Sequence, residues 1–303
     1  MPRNLWEIFK MLEDDDFRVL RAIERFHGKY EYVPVELVEK AAGLPPSRLV
    51  KALHRLSNLK LVKRRLGNLS GYTLTYMGLD LLALRNLVAR GIIEELGDKI
   101  GVGKEGDVYI GVSPGGDRVV VKFHRAGRES FRKIRRHRSY ALDVRATTWL
   151  ILAKIVGERE FKALVALERE GAKVPPAIAW NRHAVVQKYV DGLELSIVRE
   201  LDEESAFRVL VDSVETLRIA YTRVGIVHGD LSEYNILVKL GEPVEAYIID
   251  WPQYVYKDEP NAEELLRRDV TYLLRFLKRR FGLSLDVEEV LRYVKGEVDE
   301  PPW

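Results

Sequence analysis

The sequence contains no cysteine, only three methionines and no long uncharged apolar run. Without cysteine the chain has neither disulfide bonds nor thiolate ligands for a metal ion, and nothing in it indicates an oxidising compartment. The most apolar stretch, TTWLILAKIVG, is short for a membrane-spanning helix and contains Lys154. The first residues also lack the basic and then apolar plan of a signal peptide. We therefore expect a cytoplasmic protein that does not bind a membrane.

The chain is long enough for one large domain or two ordinary ones, with 303 residues of which 47% are hydrophobic. Its 49 Lys and Arg residues nearly balance 46 Asp and Glu residues, which leaves a net charge of only +3. Any attraction for nucleic acid must therefore come from local clusters of positive charge.

Residues 14–90 show the pattern of three helices, a hairpin and a further helix. In LPPSRLVKALHRLSNL, the leucines at 49, 53 and 56 recur at helical spacing and form one face. Two short β-like runs then flank Gly67-Asn68-Leu69-Ser70-Gly71, which is a hairpin signal. Three helices followed by a two-stranded wing describe a winged helix-turn-helix domain.

A basic patch coincides with the second half of this predicted domain. Seven Lys or Arg residues and no Asp or Glu lie between Arg48 and Arg65. The alternative to a nucleic-acid surface is the solvated basic face of a protein-docking module. For nucleic acid, contacts to shape and phosphate are favoured over base readout. The candidate residues are Arg48, Lys51, Arg55, Lys63, Arg64 and Arg65.

Residues 96–124 alternate strand-like runs with glycine turns. A glycine loop between strands, GVGKEG at 101–106, lets backbone amides approach phosphate, although a plain hairpin would have the same pattern. Lys122 lies in the apolar run VVVKFH, where an unpaired ammonium group would be costly, so it needs an anion. Glu160 is a candidate partner and fits the core-facing side of its predicted helix better than Glu158.

The segment IVHGDLSEYNILV at 226–238 places an acid, Asp230, five residues before an amide, Asn235. This is the Asp-x-x-x-x-Asn spacing of kinase catalytic loops. Twenty residues after Asp230, the strand AYIID ends in Asp250, and a carboxylate beside an Asn and another Asp suits Mg²⁺. Together with a phosphate loop and a lysine, these groups predict phosphoryl transfer from ATP. His228 is expected to pack and orient the loop.

On four motifs the sequence resembles the RIO family of atypical protein kinases, in its subfamily with an N-terminal winged helix. The motifs are GVGKEGDVY, VVKFHRAGRESFR, IVHGDLSEYNILV and IIDWPQ. The resemblance implies an α+β fold, with a winged helix-turn-helix domain followed by a reduced two-lobed protein-kinase-like domain. The expected boundaries are 1–91 and 92–303, with an N-lobe at about 92–188, a hinge at 188–192 and a C-lobe at 193–303.

The resemblance also implies roles for single residues. Asp230 would be the catalytic acid, Asn235 and Asp250 would bind Mg²⁺ or Mn²⁺, and Asp250 could carry a phosphoryl intermediate. The groups expected to bind ATP are Gly101, Gly103, Lys104, Glu105, Lys122, Lys188 and Val190. The implied function is a serine/threonine kinase or ATPase in small ribosomal subunit maturation, with the winged helix docking on rRNA or the precursor particle.

The sequence departs from the family pattern at Gly106, Ser139 and Trp251, where Ser, Asp and Phe are usual, and none of these changes removes a catalytic group. Gly229 replaces the arginine that precedes the catalytic acid of ordinary kinases, so it cannot pair with a phosphorylated activation loop. Two alternatives stay open: a small-molecule kinase of the aminoglycoside or choline type, and an RNA-binding protein with a non-catalytic kinase scaffold.

Ser130 is the only hydroxyl residue between Lys122 and Ser139, and it lies in a basic segment near the predicted phosphate site. We predict that it accepts phosphate when the protein is incubated with Mg-ATP, whereas a solvated loop serine would not. Intact-mass spectrometry of the wild type and Ser130→Ala checks this. A phosphate increment that persists in the variant would remove Ser130 as the acceptor.

Overall fold

The computed structural model describes residues 4–67, 70–102, 106–125 and 149–303. Its α-helices are α1 (Leu5–Met11), α2 (Asp14–Phe26), α3 (Val35–Ala42), α4 (Pro46–Asn58), α5 (Tyr76–Ala89), α6 (Trp149–Arg169), α7 (Glu203–Ile219), α8 (Ala262–Phe281) and α9 (Val287–Val294). Its strands are β1 (Val33–Pro34), β2 (Val62–Arg65), β3 (Gly71–Leu74), β4 (Glu95–Val102), β5 (Gly106–Val112), β6 (Arg118–His124), β7 (Ala177–Asn181), β8 (Ala184–Lys188), β9 (Leu193–Glu194), β10 (Ile226–Val227), β11 (Ile236–Lys239), β12 (Glu245–Ile248) and β13 (Val255–Tyr256).

The N-terminal elements form the winged helix-turn-helix that the sequence predicted. Helix α4 begins at Pro46, whose fixed φ suits a first helical position, and buries the predicted leucine face, Leu49, Leu53 and Leu56. Strands β2 and β3 pair antiparallel as the wing, and β3 also pairs with β1. Thr75 then caps α5 by accepting a hydrogen bond from the Gly78 amide at 3.2 Å.

Two elements of this domain were not predicted. Helix α1 has only two turns and is closed by a capping box, in which Asn4 and Glu7 exchange side-chain and backbone hydrogen bonds. Strand β1 has two residues and forms because Val33 pairs with Tyr72. Both are too short for apolar periodicity to reveal them.

A five-stranded sheet follows, in the order β4-β5-β6-β8-β7. Strands β4, β5 and β6 form an antiparallel meander, and Val119, Val121 and Phe123 of β6 are buried. The β4–β5 register is irregular near Lys99 and Gly101, which marks β-bulges close to the predicted glycine loop. Helix α6 ends at Arg169, two residues before Gly171, a glycine with a positive φ of 84°.

The remaining elements are helices α7, α8 and α9, the sheet β12-β11-β9 and the ribbon β10-β13. Helix α7 continues into a π-helical turn, Ala220–Val224, which ends at Gly225 in the left-handed region. Helices α8 and α9 both follow Asp250 along the chain.

By its internal contacts the chain divides into two compact units, Met1–Glu158 with Ile178–Val186, and Arg159–Ala177 with Gln187–Trp303. The first unit holds the winged helix together with strands β4, β5 and β6, and the division falls within α6. The boundary expected at residue 91 stays a prediction. Within the described ranges, no helix is both long and apolar enough to cross a membrane.

Candidate active site

The predicted catalytic loop connects β10 to β11 through one turn of 3-10 helix, Glu233–Asn235. The Asp230 side chain is exposed, whereas its flanking residues Gly229 and Leu231 are buried. The Asn235 side-chain amide donates to the Asp230 backbone carbonyl at 2.8 Å. This bond fixes the amide nitrogen of Asn235 inside the loop, and the amide oxygen remains for a ligand.

Strand pairing brings Asp250 to the same loop. Strands β11 and β12 are antiparallel with Ile236 opposite Ile248, and the Ile249 amide donates to the Asn235 carbonyl at 2.9 Å. Asp250 therefore follows directly on a residue bonded to the loop. Its φ of 67° lies in the left-handed region, which is strained for a non-glycine residue and recurs at functional sites.

His228 fastens the loop to this strand end from inside the fold. Its ring is fully buried, and Nε2 donates to the Ile249 carbonyl at 3.0 Å while Nδ1 accepts from the Asp230 amide at 3.3 Å. The ring meets Trp251 edge to face, with centroids 4.6 Å apart, and the Trp251 indole donates to the Ile248 carbonyl. Both ring nitrogens are used internally, which confirms the orienting role expected of His228.

Asp269, a buried acid on α8, holds the loop from the other side. Its two carboxylate oxygens accept from the Gly229 amide at 2.6 Å and the Leu231 amide at 3.1 Å. Arg268 donates to the Gly229 carbonyl. Gly229 has a φ of 76°, so its glycine serves the backbone conformation of the loop.

Burial raises the pKa of Asp269, while His228, the two backbone amides and Arg268 act in the opposite direction. Sequence reasoning missed Asp269. The sequence did hold one indication of its burial. Asp269 occupies a position on the apolar face of α8, next to the buried Val270 and between Leu266 and Leu273.

Arg159, on α6, was also missed and contacts the segment that follows Asp250. Its guanidinium group donates to the Tyr254 carbonyl at 2.6 Å and lies 4.0 Å from the centroid of the Tyr254 ring. A longer contact of 3.5 Å reaches the Pro252 carbonyl. The second half of α6 is thereby fixed to the chain just beyond Asp250.

Glu160 follows Arg159 on α6 and is 1% exposed, whereas Glu158 is only half-buried. This agrees with the expectation that residue 160 faces inward. Lys122 is 7% exposed on β6, opposite Val108 of β5. The proposed pairing of Lys122 with Glu160 stays a prediction.

The predicted glycine loop is described only at its flanks. Gly101 lies on β4 opposite Val108, and β5 begins at Gly106. A Cβ atom at Gly106 would lie 3.0 Å from the Phe123 carbonyl oxygen, so the usual Ser would require a small shift there. The predicted ATP-binding residues Gly103, Lys104 and Glu105, and the predicted acceptor Ser130, lie outside the described residues.

At the predicted hinge, two backbone groups are already bonded. The Lys188 amide donates to the Pro176 carbonyl at 2.8 Å, and the Val190 carbonyl accepts from the Gly192 amide at 2.9 Å. A base bound at this segment would therefore use the Lys188 carbonyl and the Val190 amide.

On the winged helix, α4 contributes its arginines to ion pairs with acids at the start of α2. Arg48 binds Asp15 in a bidentate pair at 2.6 and 2.7 Å. Arg55 binds Glu13 at 2.7 Å and lies 3.4 Å from Asp16. The sequence around Arg48 and Arg55 contains no acid, and the fold supplies one to each of them.

The wing presents its cations differently. Lys63, Arg64 and Arg65 of β2 are all exposed, and the guanidinium groups of Arg64 and Arg65 lie 5.9 and 5.6 Å from the ring centroids of Tyr72 and Tyr32. Lys51 of α4 is exposed as well. The predicted patch thus has an acid-paired part on α4 and an aromatic-backed part on the wing.

Within the described ranges, no group of three or more His, Asp or Glu side chains is arranged to hold a metal ion. The predicted magnesium ligands, Asn235 and Asp250, are an amide and a carboxylate, so they are not a group of that kind.

The fold and the loop are those of a protein-kinase-like domain behind a winged helix. A family model described as RIO domain matches residues 107–290, and one described as Rio2, N-terminal matches residues 9–90. This chain belongs to the Rio2 family.

Two curated relatives illustrate the match. The serine/threonine-protein kinase RIO2 of Caenorhabditis elegans is 39% identical over 99% of this chain and 56% of its own length. The RIO-type serine/threonine-protein kinase Rio2 of Methanocaldococcus jannaschii is 36% identical over 88% of this chain and 98% of its own length. The chain thus spans about half of the first relative and nearly all of the second.

A solved structure gives the same result. The Rio2 kinase-ADP/Mg²⁺-phosphoaspartate complex from Chaetomium thermophilum is 34% identical, with a TM-score of 0.80 over 95% of this chain and 88% of that chain. These matches confirm the expected α+β fold class, a winged helix-turn-helix domain followed by a reduced two-lobed kinase-like domain.

We predict that Asp269→Asn weakens the hold on the catalytic loop. Asparagine has one carbonyl oxygen and an amide that cannot accept a hydrogen bond, so either Gly229 or Leu231 loses its buried acceptor, at about 1–3 kcal/mol. Amide hydrogen exchange at these two residues should accelerate roughly tenfold to a hundredfold.

Asp286→Asn is the matched control, because the Asp286 carboxylate also accepts from two backbone amides, at the start of α9. It should leave amide exchange at Gly229 and Leu231 unchanged. Unchanged exchange at Gly229 and Leu231 in Asp269→Asn would contradict the assigned role.

Proposed function

We propose that this protein is an ATP- and Mg²⁺-dependent atypical serine/threonine kinase or ATPase of the RIO type that acts in the maturation of the small ribosomal subunit. The observation that carries the proposal is the convergence of Asp230, Asn235 and Asp250, joined by the Asn235 to Asp230 and Ile249 to Asn235 hydrogen bonds. The cytoplasmic location expected from the sequence belongs to the same proposal.

The donor groups fit a magnesium ion. The Asn235 amide oxygen and the Asp250 carboxylate are hard oxygen ligands, and Mg²⁺ is usually held by one or two such groups together with water and phosphate. Because the Asn235 nitrogen is bonded inside the loop, the amide oxygen is oriented before any ion binds. The bound ion would neutralise charge on the phosphates.

Asp230 has the exposure that a proton acceptor needs. Its side chain is open to solvent while its backbone carbonyl accepts from Asn235 and its amide donates to His228, so the carboxylate is presented by a fixed loop. In this role Asp230 takes the proton of an attacking hydroxyl group or water molecule. Lys122 and the glycine loop at 101–106 would hold the phosphates, and Lys188 and Val190 the base.

Asp250 is a candidate for transient phosphorylation, because the similar Rio2 kinase of Chaetomium thermophilum was solved as an ADP/Mg²⁺-phosphoaspartate complex. A carboxylate oxygen of Asp250 would bond to the γ-phosphorus, the bond from that phosphorus to the bridging oxygen would break, and ADP would leave. Water would then attack the acyl phosphate, release inorganic phosphate and restore the carboxylate.

The catalytic proposal predicts different effects for two acids. Asp230→Ala should retain Mg-ATP binding and lose about 10²- to 10⁴-fold in turnover, the usual contribution of a general base. Asp250→Ala should lose the magnesium dependence of binding. Isothermal titration calorimetry and phosphate release, with and without small-subunit particles, measure both.

Asp258→Ala is the control, because it removes an exposed carboxylate from the same unit of the chain. Wild-type protein that binds no Mg-ATP would overturn the proposal and favour a non-catalytic RNA-binding protein.

For the partner, we propose precursor rRNA of the small subunit, bound mainly by the wing. The α4 arginines are occupied by Glu13, Asp15 and Asp16, which also repel phosphate. The wing residues Lys63, Arg64 and Arg65 are exposed, and the guanidinium planes of the two arginines can stack on unpaired bases.

We expect the double change Arg64→Gln and Arg65→Gln to weaken binding of transcribed precursor rRNA about tenfold to a hundredfold and to lower the salt slope by roughly one to two. The matched pair Arg48→Gln and Arg55→Gln removes two arginines from α4 and should change affinity less than about threefold. Filter binding across a salt series measures both. A larger loss of RNA affinity in the α4 pair than in the wing pair would place the RNA contact on α4. Unchanged affinity in both double variants would indicate that the winged helix docks on protein.

A further inference from the structure

A buried cluster of charges in the first unit is not used by the site described above. Arg125, directly after β6, is 3% exposed and forms a bidentate pair with Asp80 of α5, at 2.6 and 2.7 Å. The same guanidinium group binds Asp107 of β5 through Nε at 2.8 Å and Nη2 at 2.7 Å. A winged-helix residue thus shares one buried arginine with the kinase-like sheet.

The cluster is balanced in charge. Lys99 of β4 lies 2.6 Å from Asp107, so two cations meet two carboxylates. His183 lies 2.7 Å from Asp80, and burial lowers its pKa, so it is neutral and donates to that carboxylate. Burial would disfavour the charge on Asp107, yet Lys99 and Arg125 together lower its pKa.

The Arg125 guanidinium group also lies 5.0 Å from the Tyr76 ring centroid of α5. Removing one member of such a cluster leaves an uncompensated buried charge, which is far costlier than losing an exposed pair.

The position of the cluster gives it a function. Asp107 is the second residue of β5 and directly follows the predicted glycine loop, and it pairs with Val102, the last residue of β4. Lys99 lies on β4 just before the loop, and Arg125 directly follows β6, three residues after Lys122. The cluster therefore fixes both ends of the loop and the strand that carries Lys122.

We propose that Asp80 and Arg125 are positioning residues for nucleotide binding, through which the winged helix holds the flanks of the glycine loop in register. The inference rests on the function proposed above. It assigns the winged helix a second task besides docking, because Asp107 binds Arg125 from the sheet and Asp80 binds it from α5.

A second ion pair within the same unit provides a matched control. Arg182, in the turn between β7 and β8, forms a bidentate pair with Glu24 of α2 at 2.8 and 2.8 Å. It also fastens the winged helix to the sheet, and although it directly precedes His183, its side chain bonds to Glu24 and Asn181 rather than to Asp80, Arg125 or Asp107. If both ion pairs only attach the winged helix to the sheet, disrupting either one should change KM for Mg-ATP equally. If the Arg125 cluster positions the loop, only its disruption should change KM.

The test compares Asp80→Asn and Arg125→Lys with Arg182→Lys in the full chain. Lysine keeps the positive charge of arginine and loses its bidentate contact. In the control variant, Glu24 remains paired with Lys154, which lies 2.7 Å away. We expect the first two variants to raise KM for Mg-ATP about tenfold with kcat changed less than about threefold, and Arg182→Lys to alter neither. Equal KM changes in all three variants, or unchanged KM in both cluster variants, would overturn the proposal.

Hydrogen exchange without nucleotide separates this inference from the proposed function. The amides of Gly101 and Asp107 should exchange faster in both cluster variants and not in Arg182→Lys, whether or not the protein turns over ATP. Should Asp80→Asn fail to fold, Arg125→Lys carries the comparison. Protected amides in a folded Arg125→Lys variant would reject the positioning role, whereas absent ATP binding in the wild type would reject only the enzyme.

Discussion

The arrangement of the candidate site depends on how the backbone from His228 to Leu231 is held. A fully buried carboxylate, Asp269, takes two of its amides, and the buried His228 ring takes the amide between them. An acid that is costly to bury is tolerated because each oxygen has a donor. The result is a loop whose one exposed acid, Asp230, is supported on both sides by groups that make no contact with solvent.

The same constraint explains why glycine precedes Asp230. The left-handed φ of Gly229 turns its amide toward Asp269 and its carbonyl toward Arg268, a conformation that arginine would adopt only with strain. An ordinary kinase uses the arginine at this position to sense phosphate on the activation loop. Here the position serves the backbone of the loop, so it does not sense such a phosphate.

The features that lie in one stretch of sequence could be predicted, and those that need distant contacts could not. The helices, the wing and the acids Asp230 and Asp250 follow from apolar periodicity, turn residues and spacing, which act locally. Asp269 and Arg159 lie in helices whose apolar pattern hides them, and their partners are 38 to 95 residues away. The surface charge of α4 could not be predicted from its own sequence either, which has three cations and no acid. Three carboxylates at the start of α2 lie against it in the fold.

Shared use of Arg125 by the winged helix and the sheet has a thermodynamic consequence. If RNA bound to the wing moves α5, it changes the position of Asp80 relative to Arg125 and with it the affinity of the loop for nucleotide. Linkage then requires nucleotide to change RNA affinity by the same factor. One buried ion pair would suffice for this coupling, since a shift of about 1.4 kcal/mol is a tenfold change in affinity. A protein with Gly229 in place of a phosphorylation-sensing arginine would in this way take its signal from RNA bound at the wing.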